Sequence, residues 1–439
     1  MNDAHVKEKL MNTFPRSFIS GPWTPEGKVY NDEDPYDRLD CELNDLFNWL
    51  VPTQAENFLR KSTIIRYTNF IETIIPNSRV VVQGSSATDT FLTNSDIDLI
   101  VFIDKISKQA NKLSTDKNKN EKIFRTRPVF DSNYDLTILT QILNELTRAR
   151  MINDGKLIKS ARVPIVKARD RYFGFEIDIC IGNFNGVVST KRVMNYLDYY
   201  KNNHNDLLKK LLFILKIYIH GHKIDSPFEG GFGSTELVHF SLFVILKNPS
   251  ETSLSKLLIY FFDLIGNKLN FFLAGLSLEK FPHFISKLNN DVLIKESPQS
   301  LVFQDSANHE NFLGTRSRKT LLLSSLCRFA LSSLQLNKSS EKSYVCSFMP
   351  SLANFIELRN KHEQYYQILI DNQKQEHIEE ILDRNGENFT LVENIWQKST
   401  NTGVTMNFFS ISETAMKKII KNQNDQKTKF PDKQPPYKR

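Results

Sequence analysis

The residues best suited to chemistry lie between Val82 and Ile100. A short Val-rich run, Arg79–Gln83, leads into Gly84-Ser85. A strand that turns into a helix at that point presents free backbone N–H groups beside a residue with no side chain, and phosphate oxygens approach such a place closely. After a ten-residue spacer, Asp96 and Asp98 open a second apolar run, Ile97–Ile103. Side chains alternate along a strand, so these two carboxylates project from one face. Held that close they repel unless a cation lies between them. Mg²⁺ accepts one or two carboxylates and completes its shell with water and substrate phosphate. An Asp-x-Asp alone is a common surface feature; behind a Gly-Ser turn in a strand–turn–helix–strand context it reads as a metal–nucleotide site.

Such a site needs a small sheet to carry it, and the flanking pattern supplies one. Thr53-Gln54-Ala55-Glu56 is a capping box that opens a helix running towards Ile75 and stopped by Pro76. Arg79–Gln83 and Ile97–Ile103 read as strands, Leu136–Arg150 as an amphipathic helix, and Arg162–Ala168 and Phe175–Ile181 as further strands. From Asp206 the period becomes helical, with Leu207, Leu208, Leu211, Leu212 and Leu215 on one face. Gly230–Ser234 is a Gly-rich turn, followed by helical patterns at Leu237–Leu246, Ser253–Gly266 and Lys319–Leu334. A long helix is expected over Asn354–Arg384, ending at Asn385-Gly386. The expected class is α+β: a small mixed sheet with helices, then a mostly helical lobe.

Composition narrows the field. With 40% hydrophobic residues and 32 Phe among 439, the chain is too apolar for a disordered protein. No apolar run reaches the roughly 18–20 residues of a membrane span, and no leader pattern opens the sequence, so no membrane partner is expected. Four scattered cysteines form no CxxC pair and fit a reducing compartment. The net charge of +7 is uneven: Lys105–Arg127 and Lys417–Arg439 each carry eight Lys/Arg against two acids, which leaves the rest of the chain net acidic. Basic, polar segments of this kind suit a polyanion, though a solvated loop and a frayed terminus have the same composition.

The Gly84-Ser85…Asp96-Ile97-Asp98 pattern resembles the nucleotidyltransferase signature of the DNA-polymerase-β superfamily, and in detail the Trf-type poly(A) RNA polymerases. The resemblance covers about residues 20–340. It implies a palm-like nucleotidyltransferase domain and a helical central domain with a cleft between them. It divides the chain into an arm at 1–52, a helix of the central domain at 53–76, and a catalytic domain at 77–203 with a basic insert at 105–131. The central domain follows at 204–345, a helical extension at 346–416 and a basic tail at 417–439. The superfamily places a third carboxylate on a neighbouring strand. Glu176 and Asp178 share one face of Phe175–Ile181, and spacing does not choose between them; the family's apolar-Asp-apolar pattern selects Asp178.

The same resemblance assigns Asp96, Asp98 and Asp178 to two Mg²⁺ ions (Mn²⁺ as the alternative), with ATP as substrate. Asn185 resembles the family's Asn near the incoming nucleotide, and Lys216 stands where the family has a triphosphate-binding lysine, although it could simply snorkel from the core edge. Ser234 closes Gly230-Gly231-Phe232-Gly233-Ser234, a turn implied to hold phosphate together with Gly84 and Ser85. In the segment Gln304–Ser317, Asn311 occupies the position where adenylating members carry Asn and uridylating members tend to have His; His309 lies two residues away. Thr235 departs from the family, which has Tyr or Phe there to stack on the base. The implied activity is template-independent addition of AMP to an RNA 3′-hydroxyl, in a nuclear or nucleolar surveillance complex of the TRAMP kind. Its implied partners are a zinc-knuckle RNA-binding protein and an RNA helicase. A terminal uridylyltransferase, a weakly active scaffold and a small-molecule nucleotidyltransferase are the alternatives.

Overall fold

A computed structural model describes residues 20–30, 32, 34–103, 132–159, 163–182, 184–278, 281–288, 293, 298–304, 312–336 and 342–372. In chain order, α1 (Pro35–Leu50) and α2 (Gln54–Ile74) precede β1 (Ser78–Gln83), a single turn α3 (Gly84–Ala87) and β2 (Ile97–Ile103). Next come α4 (Ser132–Arg148), β3 (Ile152–Ile158), β4 (Ile165–Asp170), β5 (Glu176–Ile181) and α5 (Phe184–Asn203). The helices α6 (Leu207–Gly221), α7 (Ser234–Lys247) and α8 (Leu254–Asp263) lead to short strands β6 (Ala274–Ser277), β7 (His283–Ser286), β8 (Phe303–Gln304) and β9 (Phe312–Leu313). Helices α9 (Thr320–Leu336), α10 (Tyr344–Phe348) and α11 (Ala353–Asn372) complete the described chain. None of the described helices is long and apolar enough to cross a membrane.

The chain divides into two compact units. One holds Pro52–Val187 and the segment from Phe355 onward. Its five-stranded mixed sheet has the order β1-β2-β5-β4-β3, with β2 and β5 parallel and the other pairs antiparallel. Ile97, Leu99, Ile177, Ile179, Val166 and Ala168 join Phe58, Leu59, Tyr67 and Ile71 of α2 and Leu139, Ile142 and Leu146 of α4 in one buried core. Period-two alternation sends Asp98, Asp178 and Lys167 to the other face. Strands β1, β2, β4 and β5 match the sequence expectation to within a few residues, and β3 was not expected. The expected start at Arg162 lies outside the described residues.

Several boundaries differ, among them the one expected between 203 and 204, which falls between Val187 and Val188. Helix α2 belongs to the sheet-bearing unit, not to the central domain, because its apolar face, Ala55 to Ile71, lies in the sheet's core. Residues 35–50, expected within the arm at 1–52, are a helix of the other unit: Asp34 caps it by accepting from Tyr36 N–H, and Leu39, Leu43, Leu46, Phe47 and Leu50 are buried. Both ends of the described fold therefore cross back. The C-terminal helix α11 returns to the sheet, where Tyr365, Tyr366 and Leu369 enter its core. The basic insert (105–131) and tail (417–439), and the expected helix beyond Asn372, lie outside the described residues.

The other unit is built on α6, whose Leu208, Leu211, Leu212, Ile214, Leu215, Ile217 and Ile219 are buried all round. Phe47 of α1 meets Phe213 edge-on, with ring centroids 5.5 Å apart. Buried Glu42 of α1 accepts from Ser343 Oγ (2.6 Å), Tyr344 N–H (3.0 Å) and Val345 N–H (2.9 Å), so one carboxylate secures the start of α10. A second sheet, ordered β7-β6-β8-β9, was not expected from sequence.

A buried polar node ties the sheet-bearing unit together. Glu56 accepts from Thr53 N–H (2.8 Å), from Arg359 Nε and Nη2 (2.9 and 3.1 Å) and from Thr93 Oγ1. It thereby joins the start of α2, helix α11 and the spacer that leads to Asp96. Removing one member of a buried ion pair strands the other charge, at a cost of about 3–5 kcal/mol. Glu56 keeps its bonds to Thr53 and Thr93, so Arg359→Ala should destabilise this unit by about 3 kcal/mol, read as a lower urea midpoint with an unchanged m-value.

Candidate active site

Register assembles the acidic cluster. Gln83, Asp98, Asp178 and Lys167 pair in one row across β1, β2, β5 and β4. Asp98 and Asp178 are parallel partners, although eighty residues separate them in sequence. Asp96 precedes β2, and Lys167 bridges the group: its Nζ lies 3.3 Å from Asp96 Oδ2 and 3.2 Å from Asp178 Oδ1. Glu176, the other acidic candidate, sits one pleat away and is engaged by Arg169, 2.8 Å from Nε. The carboxylate beside Asp98 is therefore Asp178's.

Like charges on one face make these groups hard to ionise. Burial, then Asp178 and Asp96, pushes Asp98 up to about 7. Burial also raises Asp178, against the pull of Lys167. Lys167 shows the converse: burial disfavours its ammonium, but Asp96 and Asp178 win and raise its pKa. Among the described residues no three His, Cys, Asp or Glu side chains close into a cage that would hold a metal unaided. That donor set still fits Mg²⁺, which takes few carboxylates and draws its remaining ligands from water and phosphate. An ammonium already bridges two of the carboxylates, so the place attracts a cation.

The scaffold holds the cluster from behind. Gly84 has φ +65° and faces Asp98 so closely that a Cβ would lie 2.5 Å from Oδ2, so only glycine fits. Ser85 is buried in the turn α3. Arg60 of α2 donates to Ser86 Oγ (3.0 Å) and to the carbonyls of Asp96 (3.1 Å) and Ser95 (2.5 Å). It lies between the rings of Phe91 and Phe175, 4.3 and 4.9 Å from their centroids, and burial lowers its pKa to about 10. Sequence reasoning missed both Arg60 and Lys167. Arg60 lies one helical turn beyond the capping Glu56, and Lys167 is separated from Asp178 by the span of an antiparallel pair.

The remaining candidates lie on other elements. Lys216 is buried on α6. Ser234 and Thr235 are exposed in the first turn of α7, and the Thr235 carbonyl accepts from His239 Nδ1 at 2.8 Å. Asn185 falls in the first turn of α5, and nothing is described of its side chain. Asn311 and His309 lie outside the described residues, in a segment bracketed by the antiparallel strands β8 and β9. The Gly-rich turn and the chain after that segment are laced together. Lys319 N–H donates to Gly230 O (2.9 Å) and Ser317 Oγ to Gly231 O (3.3 Å). Glu236 accepts from Gly233 N–H (2.6 Å) and from the Gly314 backbone.

Burial raises Glu236 to about 7, the two backbone donors notwithstanding. A carboxyl whose pKa is higher folded than unfolded binds its proton more tightly in the folded chain. Its contribution favours folding below the unfolded value of 4.5 and is lost as pH rises to about 7. Glu236→Gln mimics the protonated form and keeps an acceptor. It should be more stable than wild type at pH 8 by roughly 1–3 kcal/mol, and the gap should shrink towards pH 5 in urea titrations.

Comparison with known proteins agrees with this architecture. Residues 39–198 match the family model described as poly(A) RNA polymerase, mitochondrial-like, central palm domain. Over 274 residues the chain is 27% identical to the poly(A) RNA polymerase CID14 of Cryptococcus neoformans, covering 61% of this chain. It spans about a third of that relative's length, 32%. The fold is similar to the polymerase core of TRAMP, an RNA surveillance complex, with a TM-score of 0.59 and 21% identity over 77% of this chain and 99% of that one. It is also similar to a His-to-Asn variant of the Cid1 poly(U) polymerase bound to MgATP, with a TM-score of 0.56 and 19% identity over 72% of this chain and 100% of the other. Residues 39–198 thus match the central palm domain of the mitochondrial-like poly(A) RNA polymerases, and the chain is similar in sequence to the Cid14 polymerase and in fold to the TRAMP polymerase core, the likeness that its motifs suggest.

Proposed function

We propose that this chain transfers a nucleotide, AMP from ATP, to the 3′-hydroxyl of RNA without a template. One observation carries the reading: Asp178 pairs in register with Asp98, on the face where Lys167 bridges it to Asp96. Asp96 and Asp98 would hold both divalent ions and Asp178 the catalytic one. When bound, the ions lower the pKa of the RNA hydroxyl and neutralise charge at the α-phosphorus. The chain's part is positional. Gly84 keeps the first turn open beside Asp98, and Arg60 fixes the backbone at Ser95 and Asp96 from a buried, ring-clamped position. Gly84, Ser85, Lys216 and Ser234 are the residues proposed to bind the triphosphate, with Asn185 and Asn311 near the sugar and base.

ATP as the nucleotide rests on the Asn at 311 and on the poly(A) names of the relatives. UTP is the second reading, favoured by His309 two residues away and by the likeness to Cid1. A third, a weakly active scaffold, is favoured by Thr235, whose side chain offers no ring to the base. Nuclear or nucleolar RNA surveillance, in a TRAMP-like complex with a zinc-knuckle protein and a helicase, is proposed from the same kinship.

Extension of an oligo(A) primer with each of the four NTPs and Mg²⁺, with and without a zinc-knuckle partner, tests the reading. ATP should be used best, and Asp98→Ala should lower kcat by at least about a thousandfold while the folded CD spectrum persists. Preference for UTP would replace the base assignment. Wild type that extends no RNA with any NTP in either setting would overturn the transferase.

A further inference from the structure

We infer that the Lys167 ammonium is the resident cation of the carboxylate cluster, occupying the place between Asp96 and Asp178 that a divalent ion takes over when it binds. The inference rests on reading Asp96, Asp98 and Asp178 as the metal site and goes beyond it, because it gives the metal-free protein its own counter-ion and a cost of exchange.

The geometry is particular. Lys167 pairs with Asp178 across β4 and β5, on the side away from Asp98. Its stem must therefore reach past Asp178 to place Nζ 3.3 Å from Asp96 as well as 3.2 Å from Asp178. Among the described residues, the positively charged groups at adjoining positions are committed or directed elsewhere. Arg169, two residues on, binds Glu176. Lys156, its partner on β3, is exposed. Arg60 approaches from the core and donates to the main-chain oxygens of Ser95 and Asp96. Three carboxylates on one sheet face without a cation would repel one another, and a Lys side chain suits a temporary one. Its charge is a compact point on a flexible four-carbon stem, so it can leave by rotating side-chain bonds while the strand stays in register. A guanidinium, gripping two oxygens in a planar fork, would leave less readily.

Metal and ammonium cannot both sit among the same oxygens, since two cations about 3 Å apart repel strongly in a part-buried setting. Binding of a bare divalent ion must therefore break two ion pairs first. A nucleotide brings its own negative oxygens and makes the exchange favourable. Lys167 would thus make the site discriminate against metal alone and in favour of metal that arrives with a polyphosphate.

Mn²⁺ binding to the full chain, followed by the EPR signal of the free ion, together with thermal unfolding with and without Mn²⁺, tests this. Lys167→Met should bind Mn²⁺ alone about tenfold more tightly than wild type, the worth of two partly exposed ion pairs. Its melting temperature should fall without metal and recover with it. Lys167→Arg, which keeps the charge, should bind Mn²⁺ no better than wild type. Asp98→Asn serves as the control for the site itself. If Asp98→Asn binds Mn²⁺ as wild type does, the metal-site reading fails. If Asp98→Asn is impaired while Lys167→Met binds no tighter than wild type, or melts lower by the same amount with and without metal, the displacement of Lys167 alone is overturned.

Discussion

Mutual repulsion of carboxylates on one sheet face is the constraint around which the rest of the sheet-bearing unit is arranged. An aspartate in a strand ordinarily turns to water; here Asp98 is pushed up to about 7 because burial and two acidic neighbours oppose its charge. A folded chain tolerates that only if its backbone is fixed by interactions made elsewhere. The parallel pairing of β2 with β5 fixes Asp98 beside Asp178. The ion pairs of Glu56 and Arg359 and the carbonyl bonds of Arg60 fix the spacer and Asp96. The sheet's aliphatic face, sealed by α2 and α4, supplies the stability that the polar face gives up.

This division explains why two positive charges flank the acids, one buried and one on the polar face. Arg60, between Phe91 and Phe175, donates from Nη1 and Nη2 to carbonyl oxygens of the very loop that must stay still. Its charge also lies behind the carboxylates, where it favours the ionised form of Asp98 without occupying the face on which a cation would bind. Lys167 works from the front and is exchangeable. One buried and fixed positive charge with one partly exposed and movable one is a consistent answer to three acids: the first is part of the fold and the second can be replaced.

Much of this was legible in the chain, and the gaps have physical causes. Gly84-Ser85 and Asp96-Ile97-Asp98 could be read because turn and strand geometry are local, and the capping box at Thr53–Glu56 formed as its spacing predicts. The choice between Glu176 and Asp178 could not be made from alternation, since both lie on one face; it is decided by register with a strand eighty residues away, a non-local fact. Strand β3 escaped because Ile-Asn-Asp-Gly-Lys-Leu-Ile is an edge strand whose four central residues are exposed, leaving too few inward side chains to impose alternation. Strands β8 and β9, of two residues each, are too short for any period. Helix α1 had a readable signal, Asp34 before Pro35 and Leu at 39, 43, 46 and 50, which the Pro- and Gly-punctuated stretch before it obscured. The placement of α2 is of another kind: its sequence announces a helix, but only tertiary packing says which core it joins.

The departure at Thr235 has a narrower meaning once the turn is seen. Its backbone is held whatever the side chain, because the Thr235 carbonyl receives His239 Nδ1, Glu236 caps the helix start, and Gly230 and Gly231 are bonded to the segment at 317–319. On the proposed function, the missing aromatic ring there would remove stacking, about 1–3 kcal/mol per base, without loosening the groups proposed to hold phosphate. Stacking on a base that does not react is made equally before and during the transfer, so its loss weakens substrate binding and leaves the chemical step alone. Under the proposed function, a threonine at this position bears on affinity for the nucleotide. Whether the chain catalyses is decided on the other unit, where the three acids and their exchangeable lysine lie.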